Sequence, residues 1–421
     1  MPVTSPAKLV DGDRLWARHM ALARFGARDD GGVDRPALSA IESEARAQLV
    51  AWARELGLSP FTDRMANLFL RFEGRDPQLA PVLAGSHIDS QPTGGKFDGV
   101  FGVLAALEAV HAIAAQGERP RRSIEIVAWA NEEGSRFAPG MPGSEVFTGK
   151  KTLDEAYASR DQAGVLQGDA VREVLGRDVD IPVRDFGFPV HAYVEPHIEQ
   201  GPLLEAAAIP IGVVSGIQGT RRYRVKVIGE AAHAGTALRA ERRDALMAAV
   251  RMIGEIDRAA LKPDDTKLTV GLFQVTPNAP SVVPSEVLFS IDLRHPENDV
   301  VDAMDRRIRE IVEAERGPCA VELKQIAYAP SLTFADEIRA LIAVAAASEG
   351  IPAMDIYSAA GHDSRQLHYV CPTGMIFIPC RGGISHNPAE WAEPEHVTAG
   401  AKVLANVILQ LASQDEARFS N

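Results

Sequence analysis

The sequence contains little cysteine and no long apolar run. Its 421 residues include only three cysteines, Cys319, Cys371 and Cys380, and none of them forms a CxxC pair. A disulfide framework or a thiolate metal cluster is therefore not expected, and the reducing cytoplasm is the expected compartment. No apolar run approaches the roughly 18 residues that a membrane helix needs, so we expect no membrane partner. The first residues, MPVTSP, lack the basic segment and the apolar core of a secretory signal.

Basic residues are outnumbered by acidic ones. The formal net charge is −13 at pH 7, which argues against a nucleic-acid partner because phosphate binding requires a basic surface. Hydrophobic residues make up 46% of the chain and charged residues 24%, which is typical of a globular rather than a disordered protein. At about 150 residues per domain, the length predicts two or three units.

What the sequence does contain is a glycine-rich stretch, GSHIDSQPTGGKFDG, at residues 85–99. The apolar run before it predicts a buried strand, and the apolar segment after it predicts a buried helix. His87 then lies at the strand end and Asp98 near the helix start, where a carboxylate is favoured. Since zinc and similar metals accept imidazole and carboxylate ligands, this pattern favours a metal site, with Asp89 orienting His87. The alternative is a glycine-rich turn with polar caps.

Other strong strands also end in polar residues. The run at 123–129 leads to Glu132 and Glu133, and the run at 374–379 leads to His386. Together with helical patterns, these strands predict an α/β sheet whose sites form beyond the carboxyl ends of the strands. The helical patterns lie at 13–28, 36–56, 100–115 and 338–348.

The pattern changes near residue 215. From there the elements follow the order β-α-β-β-α-β, the split βαβ signature of a small open-faced sandwich. We therefore expect a catalytic domain made of residues 1–214 and 331–421, with a second domain inserted at 215–330. The expected elements of the insert are strand 221–228, helix 243–261, strands 268–275 and 286–293, helix 300–315 and strand 320–326.

Five residues near strand ends have the right chemistry for two metal ions: His87, Asp98, Glu133, His197 and His386. Two ions roughly 3.5–4 Å apart can share a bridging carboxylate, and Asp98 is the natural bridge. Composition alone does not decide which of Glu132 and Glu133 binds metal and which acts as a general base. The alternative is that these residues only cap strands and helices.

At this point the sequence resembles a known family over nearly its whole length. The segments that carry the resemblance are GSHIDSQPTGGKFDG, NEEGSRF, HIEQGP, AHAGT, AGHDS and GMIFIPCRGGISHNPAE. They are similar to the carbamoylase and allantoate amidohydrolase branch of the M20 metallohydrolases, also called the hydantoinase/carbamoylase branch. The resemblance implies an α/β fold with a mixed-sheet catalytic domain, helices on both sheet faces, and an inserted α+β, ferredoxin-like dimerisation and lid domain.

The resemblance also implies roles for the metal-site residues. His87 and His197 would bind one ion, Glu133 and His386 the other, and Asp98 would bridge them. Glu132 would be the general base. The cofactors implied are two divalent ions per subunit, zinc first, with manganese or cobalt as alternatives.

Further implied residues concern the substrate. In a homodimer, His233 would reach the partner's site and stabilise the oxyanion, and Arg294 would bind the substrate carboxylate. Gln200, Gly361 and His362 match other substrate-binding positions of the family. Ser281 stands where family members commonly have asparagine, so a direct substrate contact there can be lost or replaced by water.

The reaction we expect is hydrolysis of the ureido C–N bond of an N-carbamoyl amino acid. The expected partner is thus a small ureido or amide substrate that bears a carboxylate. Allantoate is the main alternative substrate. Further alternatives are a β-ureidopropionase, an N-acyl amino acid amidase and a metal-binding homologue without catalysis.

Overall fold

The computed structural model describes residues 5–262 and 266–414. The chain forms two compact units: the first comprises Met1–Ser215 and Phe334–Asn421, and the second comprises Gly216–Thr333. The second unit corresponds to the insert expected at 215–330, whose lid and dimerisation roles remain predictions. No secretory signal is expected in the first residues, MPVTSP, and residues 1–4 of this segment lie outside the described ranges.

The strands are as follows in chain order. They are β1 (Ser59–Asp63), β2 (Leu68–Phe72), β3 (Val82–His87), β4 (Ile124–Trp129), β5 (Val183–Arg184), β6 (Ala192–Ile198), β7 (Ile211–Ile217), β8 (Gly219–Ile228), β9 (Ala232–His233), β10 (Lys267–Thr269), β11 (Phe273–Thr276), β12 (Val282–Val283), β13 (Glu286–His295), β14 (Ala320–Ala329), β15 (Leu332–Thr333), β16 (Ala353–Ser358) and β17 (Thr373–Ile378).

The α-helices, again in chain order, are α1 (Gly12–Leu22), α2 (Ala40–Glu55), α3 (Val100–Ala114), α4 (Pro142–Phe147), α5 (Leu153–Tyr157), α6 (Gln167–Arg177), α7 (Leu203–Ala207), α8 (Ala245–Ala260), α9 (Asn298–Glu315), α10 (Asp336–Ser348), α11 (Ser364–Leu367) and α12 (Pro394–Ser413). Short 3₁₀ helices occupy Pro6–Leu9, Arg239–Glu241 and Arg381–Gly383. None of the described helices combines the length and hydropathy needed to cross a membrane.

The first unit is built on a mixed sheet with the strand order β7-β17-β6-β3-β4-β2-β1-β5, in which β16 also pairs with β7. Strands β4, β3, β6 and β17 run parallel to one another. Because parallel strands end at the same edge, the residues that follow them are brought together. Both sheet faces are covered, as predicted: in β3, Val82 and Ala84 join the larger apolar core with α3 and α12, whereas Leu83 joins a smaller core with Trp129 on the opposite face.

The second unit has a separate antiparallel sheet with the order β10-β13-β8-β14, and β11 also pairs with β13. Helices α8 and α9 cover one face, where the alternating buried residues Tyr223, Val225 and Val227 of β8 pack against them. This is the predicted ferredoxin-like arrangement. Strands β9 and β12 form a separate two-stranded ribbon.

Three features of the fold differ from the sequence-based expectation. The helix expected at 13–28 ends at Leu22, because the chain then turns through Gly26, whose φ of 85° is unfavourable for other residues. The strand expected at 268–275 is divided into β10 and β11. Helix α12, which packs along α3 in the large core, has no counterpart among the expected elements.

Candidate metal centre

Four parallel strands bring the predicted ligands together. His87 is the last residue of β3, His197 lies near the end of β6, Glu133 follows β4, and His386 follows β17. Asp98 comes from the glycine-rich loop between β3 and α3. Ligand atoms of His87, Asp98 and His197 all lie within 4.8 Å of one another, and so do those of Asp98, Glu133 and His386.

The two oxygens of Asp98 face different histidines. Its Oδ1 is 3.2 Å from Nε2 of His197 and 3.8 Å from Nε2 of His87. Its Oδ2 is 3.2 Å from Nε2 of His386, which is also 3.4 Å from Oε2 of Glu133. A carboxylate placed between two such groups can contribute one oxygen to each of two cations.

Gly99 allows this close arrangement. A Cβ at position 99 would lie 2.4 Å from the ring of His87, and the residue has a φ of 65°. A side chain at this position would require a shift of the His87 ring. The positive φ would also be strained for any residue other than glycine. The glycine after Asp98 therefore lets the loop and the strand end approach within ligand distance.

The two buried histidines are oriented through their Nδ1 atoms. Nδ1 of His87 is 3.0 Å from the carbonyl oxygen of Asp89, and Nδ1 of His197 is 2.9 Å from that of Ile198. If each Nδ1 donates to its carbonyl, Nε2 keeps the lone pair that a metal requires.

The carboxylate of Asp89 does something that its expected role did not include. It accepts the backbone N–H groups of Glu132 and Glu133, at 3.2 and 3.1 Å, and so fixes both glutamates beyond β4. The same carboxylate lies 3.5 Å from Nδ1 of His87. Asp89 thus joins the ends of β3 and β4.

The carboxylates and imidazoles of the cluster shift one another's pKa values. Burial together with nearby Asp98 raises the pKa of Glu133 to about 7. A hydrogen bond to Asp98 raises the pKa of His386 to about 9, and although burial opposes it, hydrogen bonding from His197 and His386 holds the pKa of Asp98 well below its usual value. Because these groups favour a positive charge between them, the donor set fits divalent cations.

Glu132 lies beside the cluster and is buried. Its Oε2 is 3.5 Å from Nε2 of His87, and burial, with further contributions from Asp363 and Glu133, raises the pKa of Glu132 well above its usual value. A carboxylate with a raised pKa is a stronger base when ionised.

The remaining predicted residues of the first unit also contact this region or lie near it. Nε2 of Gln200 donates to Oδ2 of Asp98 at 2.8 Å. The ring of His362 packs edge-on against His197 at 4.5 Å between centroids, and its Nε2 is 3.0 Å from Oγ of Ser358. Gly361 lies against Met141, whose Cε would be 3.3 Å from an added Cβ.

His233 and Ser281 are neighbours in the second unit. His233 pairs with Val282 across the β9–β12 ribbon, and the N–H of Ala234 donates to the carbonyl of Ser281 at 3.0 Å. Nδ1 of His233 accepts the N–H groups of Gly235 and Thr236, at 3.1 and 3.2 Å. The exposed ring therefore carries its proton on Nε2, which is a donor.

Arg294 lies on β13 of the second unit. Its Nε and Nη2 donate to the two carboxylate oxygens of Asp292 at 2.9 and 3.1 Å. Asp292 also accepts a hydrogen bond from Nε of Arg222 at 2.9 Å. Two guanidinium groups thus share the carboxylate of Asp292.

Sequence reasoning missed two buried glutamates. Glu195 accepts hydrogen bonds from Oγ of Ser86 and the N–H of Ser364, both at 2.7 Å, and its place two residues before His197, on the same strand face, was an available signal. Glu390 accepts the N–H groups of Phe97 and Asp98. Its signal was its place in the motif that contains His386.

Fold and site together define the class of the protein. A mixed α/β sheet carries two adjoining histidine and carboxylate groups at the ends of parallel strands, with a buried glutamate beside them. This is the arrangement of a hydrolase with a candidate two-metal centre.

Comparison with known proteins gives the family. Residues 83–410 match peptidase family M20/M25/M40, and the chain belongs to this family of metal-dependent hydrolases. It is 38% identical to a Rhizobium meliloti protein named N-carbamoyl-L-amino-acid amidohydrolase, over 96% of this chain and 97% of the relative. It is 33% identical to a Bacillus subtilis protein named allantoate amidohydrolase, over 93% and 95% of the two chains.

A solved structure is similar throughout. The hydantoinase/carbamoylase family amidase from Burkholderia multivorans matches with a TM-score of 0.90 and 42% sequence identity, over 96% of this chain and 98% of that one. The branch to which the sequence was assigned is therefore confirmed.

Proposed function

We propose that this hydrolase cleaves the ureido C–N bond of an N-carbamoyl amino acid and releases the amino acid, ammonia and carbon dioxide. The observation that carries the proposal is the pair of ligand groups that share Asp98, with Glu132 beside them. The name of the Rhizobium meliloti relative supports this choice of substrate.

Two divalent ions fit the donor set. His87 and His197 would hold one, Glu133 and His386 the other, and Asp98 would contribute to both. Zinc suits these nitrogen and oxygen donors, and manganese and cobalt accept them as well. When bound, such ions polarise a carbonyl group and lower the pKa of water.

Glu132 is the proposed general base. It would take a proton from water as the water oxygen bonds to the carbamoyl carbon and the C=O electron pair moves onto the carbonyl oxygen. The same proton would then pass to the amino acid nitrogen as the C–N bond breaks. The carbamic acid released decomposes to ammonia and carbon dioxide.

Residues of the second unit would recognise the substrate. Nε2 of His233, as a donor, suits the oxyanion that forms during attack, and we propose that it serves the site of the partner subunit in a homodimer. The planar guanidinium of Arg294, which Asp292 holds in place, suits the substrate carboxylate. Gln200, Gly361, His362 and Ser281 remain proposed substrate contacts.

Strand β14 supports the proposed homodimer. It lies at the end of the described strand order of its sheet and exposes Ile326 and Tyr328, so a second chain could cover it. We also propose a cytoplasmic location, because Cys319, Cys371 and Cys380 are all free and buried.

Allantoate is the second candidate substrate. It is favoured by the Bacillus subtilis relative, whose name states this activity, and it offers the same ureido group and carboxylate. Ser281 stands in place of the asparagine that is common in the family, so a substrate contact can differ at this position. Experiment must therefore decide between the two substrates.

An ammonia-release assay tests the proposal. The purified chain, supplied with zinc, manganese or cobalt, is offered N-carbamoyl amino acids, allantoate, β-ureidopropionate and N-acyl amino acids, with amine release measured for the last. We expect the highest kcat/KM for an N-carbamoyl amino acid. Preference for allantoate would select the second candidate, and no release from any substrate would refute the hydrolase proposal.

A further inference from the structure

Glu390 connects two ligand-bearing loops that are distant in sequence. Its Oε1 accepts the backbone N–H groups of Phe97 at 2.8 Å and Asp98 at 3.1 Å, across sequence separations of 293 and 292 residues. The glutamate is only 2% exposed. Glu390 follows His386 by four residues, so it links the loop that carries His386 to the backbone of Asp98.

Ser385 completes this link. Its hydroxyl lies 2.8 Å from Oδ2 of Asp98 and 3.3 Å from Oε2 of Glu390. Glu390 thus contacts both the backbone of Asp98 and the serine that binds the side chain of Asp98.

Packing around Glu390 leaves its carboxylate little freedom. A Cβ at Gly95 would lie 2.1 Å from the carboxyl group, so the backbone of the glycine-rich loop lies directly against it. In the same loop, the ring of Phe97 packs edge-on against Trp391, with centroids 5.7 Å apart. An apolar contact and a polar contact from adjacent residues therefore hold the same segment.

We propose that Glu390 is a positioning residue for Asp98. By fixing the peptide between Phe97 and Asp98, Glu390 would keep one oxygen of Asp98 toward His87 and His197 and the other toward His386. This inference rests on the proposed two-metal centre. It assigns to Glu390 a role that acts through Asp98 and not through contact with substrate.

The role depends on hydrogen-bond acceptance. Removing the carboxyl group would leave two buried N–H groups without an acceptor, which favours rearrangement of the loop. Glutamine keeps an acceptor oxygen of the same reach, and its amide can donate to Ser385 while Ser385 donates to Asp98. Glutamine should therefore rescue what alanine loses.

The test compares Glu390→Ala with Glu390→Gln in the full chain. In metal-free protein, hydrogen exchange measured over the peptide containing Phe97 and Asp98 should be faster in the alanine variant and close to wild type in the glutamine variant. With zinc, chelator competition should show about 10- to 100-fold weaker binding in the alanine variant only, in line with other outer ligand contacts. The absorption spectrum of bound Co²⁺ should change in the same variant.

Glu108→Gln is the control for loss of a buried negative charge, because Glu108 is fully buried, accepts the N–H of Asp11 and pairs with Arg14 and Arg18, away from the ligands. It should leave zinc affinity and exchange at 97–98 unchanged. Wild-type exchange and zinc affinity in Glu390→Ala would overturn the inference, and so would equal losses in the alanine and glutamine variants. A wild-type chain that binds no metal would instead refute the proposed function, whereas exchange in metal-free protein still tests Glu390.

Discussion

The ligand cluster and the β9–β12 ribbon both carry proposed functional histidines, but they hold them differently. His87 and His197 are 2% and 1% exposed and lie among carboxylates on parallel strand ends. His233 is exposed and is held by N–H groups two and three residues along the chain. The two buried histidines of the cluster thus depend on tertiary contacts, whereas the ring of His233 is held by local ones. A residue change near the ribbon, such as serine for the family's asparagine at position 281, can therefore alter proposed substrate contacts without disturbing the proposed metal ligands.

The largest expected effect comes from Glu132, which lies in the cluster but is not a proposed ligand. Glu132→Gln should lower kcat by about 10²- to 10⁴-fold because the proposed base is lost, while metal content measured by mass spectrometry stays near wild type. Glu133→Gln, at the adjacent position, should instead lose metal. If the two variants behave alike, the roles of the two glutamates are not separate.

The ribbon should affect rate without affecting metal. His233→Ala should lower kcat by about 10²- to 10³-fold, the cost of removing one oxyanion donor, with unchanged metal content. If His233 serves the partner's site, mixing and reassociating His233→Ala with Glu132→Gln should restore up to about a quarter of wild-type activity through mixed dimers. No recovery in mixtures shown to exchange subunits would place His233 in its own subunit's site or outside the mechanism.

A smaller effect is expected at Arg294, where the charge is kept and only the geometry changes. Arg294→Lys should raise KM about tenfold for carboxylate substrates, since lysine lacks the planar fork of arginine. A substrate with a carboxamide in place of the carboxylate should show no such change. Arg243→Lys, whose parent guanidinium contacts the carbonyl of Pro318, is the control. An unchanged KM in Arg294→Lys would remove Arg294 from substrate binding.

The smallest effect concerns His19, a buried histidine whose ring nitrogens have no carboxylate partner among the described residues. The ring of His19 lies against Phe97, with centroids 5.3 Å apart, and burial lowers its pKa from 6.5 to about 3. Below pH 6.5 the unfolded chain therefore binds a proton that the folded chain does not. The free energy of unfolding should fall with decreasing pH by about 1.4 kcal/mol per unit from this residue.

His19→Leu should lack this contribution. Urea unfolding of the metal-free proteins at pH 7.5 and 5.5 should show that the variant gains stability relative to wild type at the lower pH. A difference that does not vary with pH would mean that His19 is not buried in neutral form.

The sequence predicted which candidate ligands come together better than it predicted the contacts that hold them. His87, Asp98 and His386 lie in short motifs whose residue types are chemically distinctive, and strand patterns place them at one sheet edge. Glu390 lies in the motif that contains His386, but the motif does not say what Glu390 binds, because its partners are N–H groups 293 and 292 residues away. In the proposed homodimer, the position of His233 relative to substrate would depend on a partner chain, which a single sequence does not describe.

The late position of β17 in the chain has a consequence for biosynthesis. This strand lies between β6 and β7 in the large sheet, yet both neighbours are synthesised before the second unit and β17 only after it. His386 and Glu390 emerge later still. A growing chain therefore holds an incomplete sheet and an incomplete set of candidate ligands until this segment has left the ribosome, so the centre that would perform hydrolysis forms only after the second unit has been synthesised.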